Sequence, residues 1–151
     1  MSQILQIINA ISQIEVNTLS KTPVIFDVDN PQLSIKGTPA RVVFPMQLGE
    51  NDGKNMEYIS LGNVVSVSWN IADLMLYKPV GSNSRLQSSL PELVAYVGNY
   101  VTAFKIQRKL GLQHVTIENI DYEWNQFEYP EGSENEYYGV LMMVQVKEVV
   151  T

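Results

Sequence analysis

From Ser89 onward the chain sets out a restrictive plan: an amphipathic helix, an acidic strand, a polar excursion, and an apolar strand from Tyr137 to Val149. A helix with one apolar stripe, followed by strands with one apolar face, has to bury the two against each other. Ser89-Leu90-Pro91-Glu92 has the form of a capping box, with proline in the first turn and the glutamate placed to reach back to the cap. Leu90, Leu93, Val94, Val97, Tyr100, Val101 and Phe104 then recur at helical spacing. Lys105, Arg108 and Lys109 suit the negative end of a helix dipole, and Gly111 supplies a stop. The spacing predicts a helix over about Leu90 to Leu110. Val115 to Trp124 alternates as a strand does, but its apolar phase slips between Ile117 and Ile120, which predicts a bulge. In the last strand Val140, Met142, Val144 and Val146 share one face, while Leu141 and Met143 make the other face partly apolar, as in a central strand or one that meets a second protein.

The first half yields the remaining elements. Ile4, Ile7, Ile8, Ile11 and Ile14 recur at helical spacing, with Ser2 placed to cap the first turn, so Ser2–Ile14 reads as a helix whose stripe belongs to the core. Val24 to Val28 reads as a strand closed by the Asp29-Asn30-Pro31 turn. Thr38 to Leu48 reads as a strand interrupted at Pro45. After the turn-rich loop Gly49–Asn55, Tyr58 to Tyr77 alternates through Val65, Val67, Trp69 and Ile71 before Leu74 and Leu76 take over the apolar phase, which predicts a bulge or twist near Asp73. The two strands flanking that loop are expected to pair antiparallel. Lys78 to Ser88, with Pro79, Gly81, Asn83 and three serines, reads as a loop long enough to reach a partner, and Lys78, Arg85 and Ser88 are its candidate contact residues. The expectation is one α+β domain over 1–151, a mostly antiparallel sheet of about five strands packed by two helices.

At 151 residues and 45 % hydrophobic the chain has enough apolar material for such a core. A net charge of −6 argues against a surface built to grip nucleic acid. Without cysteine there is neither a disulfide framework nor a thiolate metal site. Met1-Ser2-Gln3 lacks the basic start of a secretory signal, and no apolar run approaches a bilayer span, so a soluble protein folded in cytoplasm is expected.

The clearest electrostatic feature lies between His114 and Lys147, where there is no lysine or arginine. Glu118, Asp121, Glu123, Glu128, Glu131, Glu134 and Glu136 supply seven of the chain's 16 acids in that stretch. Such a run is ordinarily a solvated face; its functional reading is a surface that repels polyanions or meets a basic partner. Clustering on one hairpin does not give the cross-cleft pair that acid–base catalysis on glycosides needs. Asp27-Val28-Asp29-Asn30 hints at a calcium loop, but Gln32 stands where that loop needs glycine and Thr38 where it needs glutamate. His114 has no second histidine and reads as a loop residue after a helix stop. Tyr122, Tyr129, Tyr137 and Tyr138 lie close enough to the acids to form an interface rim. No catalytic residue, metal site or cofactor is expected.

In its order of elements and a few phrases the chain resembles the tail terminator, or tail-completion, proteins of long-tailed bacteriophages. The resemblance is carried by the helix Ser2–Ile14, the strand Val64 to Ile71 ending in Leu74-Met75-Leu76-Tyr77, the helix opening Leu90-Pro91, and Glu136-Tyr137-Tyr138-Gly139-Val140 leading into the closing strand. It covers most of the chain in outline, while the Gly49–Asn55 and Lys78–Ser88 loops match no family feature. It implies a structural virion protein of the tail or neck, assembled in host cytoplasm. The subunits would form a ring, usually a hexamer, bound to the tail tube protein and to the head-side connector. DNA would pass without tight binding, there would be no membrane partner, and the Glu118–Glu136 segment would be a candidate lumen lining. A head-completion or neck protein shares this logic, and a small non-catalytic ligand-binding α+β domain is the alternative from another class.

Overall fold

The computed structural model describes residues 2–26, 37–46, 56–58, 62–81, 85–130 and 132–151. Helix α1 (Ile4–Gln13) and strand β1 (Val24–Phe26) are followed by β2 (Ala40–Pro45), β3 (Met56–Tyr58) and β4 (Val65–Pro79). Helix α2 (Leu86–Phe104) then leads into the hairpin of β5 (Val115–Glu128) and β6 (Glu136–Val150). Five strands run β1-β2-β4-β6-β5 across a mixed, mostly antiparallel sheet, with β1 parallel to β2, and the short β3 pairs with the start of β4 beyond the reach of β2. The fold is α+β, as the patterning predicts. The Asp29-Asn30-Pro31 turn, the calcium-like residues 27–32 and the Gly49–Asn55 loop lie outside the described residues.

Both helices pack on one face of the sheet. Ile7, Ile8 and Ile11 of α1 and Leu93, Tyr96, Val97, Tyr100 and Phe104 of α2 close over Val43, Ile71, Met75, Val140, Met142, Val144 and Val146. Ile4 to Ile11 therefore do form a core stripe, and burying three isoleucines completely contributes about 1.5–3 kcal/mol each. On α2 the stripe is narrower than the spacing predicts: Val94 and Val101 face solvent.

Several local expectations are corrected. Helix α2 begins at Leu86, so Pro91 lies inside it and Ser89 is a buried helical residue, not a cap. Glu92 does not reach back to Ser89; its carboxylate accepts from the Leu19 amide at 2.9 Å and the Ser20 hydroxyl at 3.0 Å, pinning the segment after α1 onto α2. The helix ends at Phe104, and Lys105 to Leu112 follow as successive turns closed by Gln107, Leu110 and Leu112 amides on carbonyls three residues back. Gly111, with φ of +68°, lies in these later turns, seven residues past the end of the helix, and does not supply its stop. Near Asp73 there is no bulge: β4 keeps its register with β6 from Val65 to Leu76 and shifts only between Leu76 and Lys78. The bulge in β5 falls where the slip predicts it, between Ile117 and Asn119. Strand β6 lies between β4 and β5, an inner position that explains its two apolar faces.

The phase change at Asp73 has a different cause. Asp73 faces the helices and holds Arg41 of β2 through Nε at 2.8 Å and Nη2 at 2.6 Å, both groups buried. Arg41 also donates to the Ile11 carbonyl at 3.0 Å and to that of Ile14, so it satisfies the carbonyl end of α1. The other end of α1 is met by Glu148 of β6, itself 1 % exposed, which accepts from the Gln3 amide at 2.6 Å and the Ser2 hydroxyl at 3.1 Å. Trp69 Nε1 completes that carboxylate's shell at 2.9 Å. Ser2 Oγ in turn accepts from the Ile4 amide at 3.3 Å, so its capping role is shared with a strand 146 residues away. Helix α1 has no acidic residue in its first turn and no basic one in its last; the sheet provides both charges.

Two stability tests follow from this packing. A Cβ on Gly139 of β6 would lie 2.2 Å from the Met75 carbonyl oxygen of β4, which is backbone and cannot give way. Gly139→Ala is expected to lower unfolding stability by roughly 1–3 kcal/mol in a urea titration, while alanine at Gly98, which has open space around its Cβ direction, costs no such strain. Asp73→Asn leaves a buried guanidinium without its counter-charge and is expected to cost about 3–5 kcal/mol. Arg41→Met with Asp73→Leu should recover only part of that loss, because the Ile11 and Ile14 carbonyls still lose their donor.

Candidate functional site

The β5–β6 hairpin carries the acids, and its register sorts them. Ile120, Tyr122 and Trp124 lie opposite Val144, Met142 and Val140, on the helix side of the sheet. Asp121 and Glu123 lie opposite Met143 and Leu141, on the face turned away from the helices. Asn119 and Asn125 flank them there, donating to Asp121 at 2.9 Å and Glu123 at 3.1 Å. Glu118 is the extra residue of the bulge, and all three acids are exposed.

At the hairpin's end Glu128 and Glu136 are direct cross-strand partners, a like-charge pair that opposes the pairing it sits on. The turn brings Glu134 beside them, with φ of +66° and its amide donating to Glu128 Oε1 at 2.8 Å. Tyr129 N–H to Asn135 C=O at 2.9 Å and Ser133 N–H to Pro130 C=O at 3.0 Å fix the backbone, and Val80 N–H to Glu136 C=O at 3.0 Å clips the tip to the end of β4. Thus Glu128, Glu134 and Glu136 form one exposed cluster, separate from Asp121 and Glu123 along the strand, and Glu131 lies outside the described residues.

The tyrosine rim is only partly realised. Tyr122 is exposed and packs its ring 4.9 Å from that of Trp124, and Tyr129 is half-buried; Tyr137 and Tyr138 are interior residues and not a rim. Nor do Lys78, Arg85 and Ser88 share a loop. Lys78 is an exposed residue of β4, Arg85 precedes α2, and Ser88 is in its first turn with its hydroxyl donating to the Arg85 carbonyl at 2.7 Å. Ser88 is spent locally because the helix starts four residues before the position that the apparent capping box marks.

At the opposite end of the hairpin the early stop of α2 has a consequence. Lys105, Ile106, Arg108 and Lys109 project from turns at the start of β5, where the Arg108 carbonyl accepts the Ile117 amide at 2.7 Å. Of these, Lys109 lines an open groove of about 640 Å³, together with Leu112, Gln113, His114, Val115 and Thr116. His114, with φ of +62°, is exposed and gives its carbonyl to the Val149 amide at 2.9 Å, the role of a loop residue after a helix stop. Three of the chain's ten lysines and arginines stand in this corner.

The buried cluster that sequence patterning misses is Arg41, Asp73, Tyr100 and Tyr96. Burial works against the guanidinium's charge, yet the hydrogen bonds and charge of Asp73 outweigh it, and Arg41 is held above its ordinary range. The Tyr100 hydroxyl donates to Asp73 Oδ2 at 2.8 Å. Burial first, and then the negative charge of Asp73, push Tyr96 and Tyr100 well above the usual phenol range. Arg41 and Tyr100 have their donors committed, while the Tyr96 hydroxyl is buried without a hydrogen-bond partner; with all four side chains inside the core, the cluster serves packing. Among the described residues no group of three or more histidines, aspartates or glutamates is placed to hold a metal ion, and no helix is long and apolar enough to cross a membrane.

No protein-family model matches the chain, and no curated protein sequence matches it.

The raised tyrosines predict a loss of stability at alkaline pH. Each is protonated in the folded chain at a pH where the unfolded chain, at about 10, releases its proton. Their contribution is therefore fully present below about pH 10 and is lost as pH rises towards the folded values, at about 1.4 kcal/mol per pH unit for each. Tyr100→Phe should weaken the protein at pH 7 through the lost hydrogen bond to Asp73, yet shallow the decline above pH 10. Urea midpoints from pH 8 to 11.5 measure both; an unchanged alkaline slope would assign the decline to other groups.

Proposed function

We propose that this chain is a structural subunit of a phage tail, a tail terminator that closes into a ring at the end of the tube and joins it to the head-side connector. What supports this is the state of β5. It is an edge strand of 14 residues, exposed over most of its length. Outside the β5–β6 ladder, its one backbone bond to another segment among the described residues is the Ile117–Arg108 contact. A long open edge in a lone molecule invites indiscriminate pairing, and charges along it are the usual protection. In an assembling subunit the same edge is where a neighbour is received, and acids there limit the neighbours it accepts.

The role in this reading is mechanical, without catalysis or cofactor. Asp121 and Glu123, on the sheet face away from the helices, are the residues we assign to the bore. A phosphate backbone passing such a wall meets repulsion and no counter-ion exchange that would hold it. The order of elements, with one helix before the sheet and one before the closing hairpin, supports the same family resemblance.

Negative-stain imaging of the purified protein mixed with polymerised tail tubes tests the assignment. Rings seated on tube ends, with tube growth arrested, are expected. Rings that seat on the portal and ignore tubes would reassign the chain to the neck, and a monomer that binds neither would end the virion reading. Asp121→Lys with Glu123→Lys should leave rings intact and reduce infectivity of the assembled particles by at least about tenfold. Undiminished infectivity would remove the bore assignment.

A further inference from the structure

The hairpin separates two patches of opposite sign. The Glu128–Glu134–Glu136 tip is at one end, and the Lys105–Lys109 corner with its groove is at the other, about 35 Å away along β5. Among the described residues neither patch is neutralised: Arg41–Asp73 is the only ion pair there. Two paired strands cannot fold back to bring their own ends together, and Val80 clips the tip in place. Among the described residues no cation stands against Glu128 or Glu136, and a basic partner would relieve their repulsion.

The corner has what the tip lacks. Ile106 stands between the cations and is 82 % exposed, the most exposed large hydrophobic residue among those described. In the same corner lies the open groove of about 640 Å³, with Lys109, Leu112 and Val115 in its wall. At the tip the half-exposed Tyr129 and Pro130 provide apolar surface next to the acids. A contact between tip and corner would pair acids with bases and cover Ile106 as well.

We infer that the acidic tip of one copy docks into the basic groove at Lys105–His114 of the next copy, head to tail. Tip against tip sets glutamates against glutamates, and corner against corner sets cations against cations, so the layout selects a heterologous contact. Such contacts propagate in one direction and close into a ring when the rotation per subunit permits. The inference rests on the ring proposed above and names the surfaces that would build it. Two further acids on β5, Asp121 and Glu123, face elsewhere and are left for the bore.

A charge-swap complementation tests the contact. The corner variant is Lys105→Glu/Arg108→Glu/Lys109→Glu. The tip variant is Glu134→Lys/Glu136→Lys, with Glu128 kept because it holds the Glu134 amide. All five positions are exposed, and thermal unfolding of each variant confirms that it folds. Sedimentation of the wild type should show an assembly that weakens as salt rises from about 50 to 500 mM. Each variant alone should lose at least about tenfold in self-association, and an equimolar mixture should restore an assembly containing both. Variants that assemble like the wild type, a mixture that stays monomeric, a wild type that never self-associates, or growth that stops at a two-fold dimer each overturn the inference. Failure here with rings still seated on tubes leaves the functional proposal standing; restored rings that ignore tubes do the opposite.

Discussion

Helix α1 is held at both ends by charges that belong to the sheet, and the placement of the other elements depends on that. Ten residues are too few to make a stable helix alone, and this one carries no favourable charge of its own at either terminus. Arg41 of β2 reaches its last carbonyls and Glu148 of β6 holds the Gln3 amide at its start, so the helix can lie in only one direction and at one height across β2, β4 and β6. The apolar stripe provides the attraction, several kcal/mol from three fully buried isoleucines. Burying an ion pair costs a similar amount, so the charges contribute orientation more than net stability. Tyr100 extends the same constraint to α2 through Asp73, and a ring stack of Tyr100 on Phe104 at 4.1 Å continues it along that helix.

That arrangement also explains which parts of the fold were legible in the sequence. Periodicity identified α1, α2, β5 and β6 because each has one face determined by burial. It located the bulge at Glu118, since an extra residue in one strand shifts the apolar phase of that strand alone. At Asp73 the same kind of signal had another origin. From Ile71 to Leu76 both faces of β4 are covered, so alternation disappears, and a carboxylate on the helix side is tolerated because Arg41, two residues along β2 from its direct partner Val43, pairs with it. Patterning cannot distinguish an ion pair formed across 32 residues from a local distortion. The apparent capping box failed for a related reason. Glu92 found stronger partners in Leu19 and Ser20, brought to it by the docking of α1, and the helix extended past Ser89 to Leu86.

The candidate surfaces were legible as charge and illegible as geometry. Composition identified the acidic stretch, but only the register divides it into Asp121 and Glu123 on one sheet face and Glu128, Glu134 and Glu136 at the turn. The basic corner was hidden behind a plausible assignment. Lys105, Arg108 and Lys109 read as the last turn of a helix, where they would be spent on its dipole. With α2 ending at Phe104 they are displaced into turns at the foot of the hairpin, and Ile106 is exposed among them.

The two ends of the hairpin are carried on a stiff beam. Strand β6 is paired on both sides along most of its length, Gly139 allows β4 to approach within contact of its backbone, and Tyr137 and Tyr138 are buried just behind the tip. A rigid element binds without the ordering cost that a flexible loop would incur, so modest charge complementarity is enough to select a partner. The same stiffness keeps the like-charged pair at Glu128 and Glu136 from relaxing apart. The core therefore fixes the distance between the two patches, and in a head-to-tail assembly that distance would determine how far each subunit is offset from the last. Ring size would then follow from the length and twist of β5 and β6 more than from the chemistry of the contact.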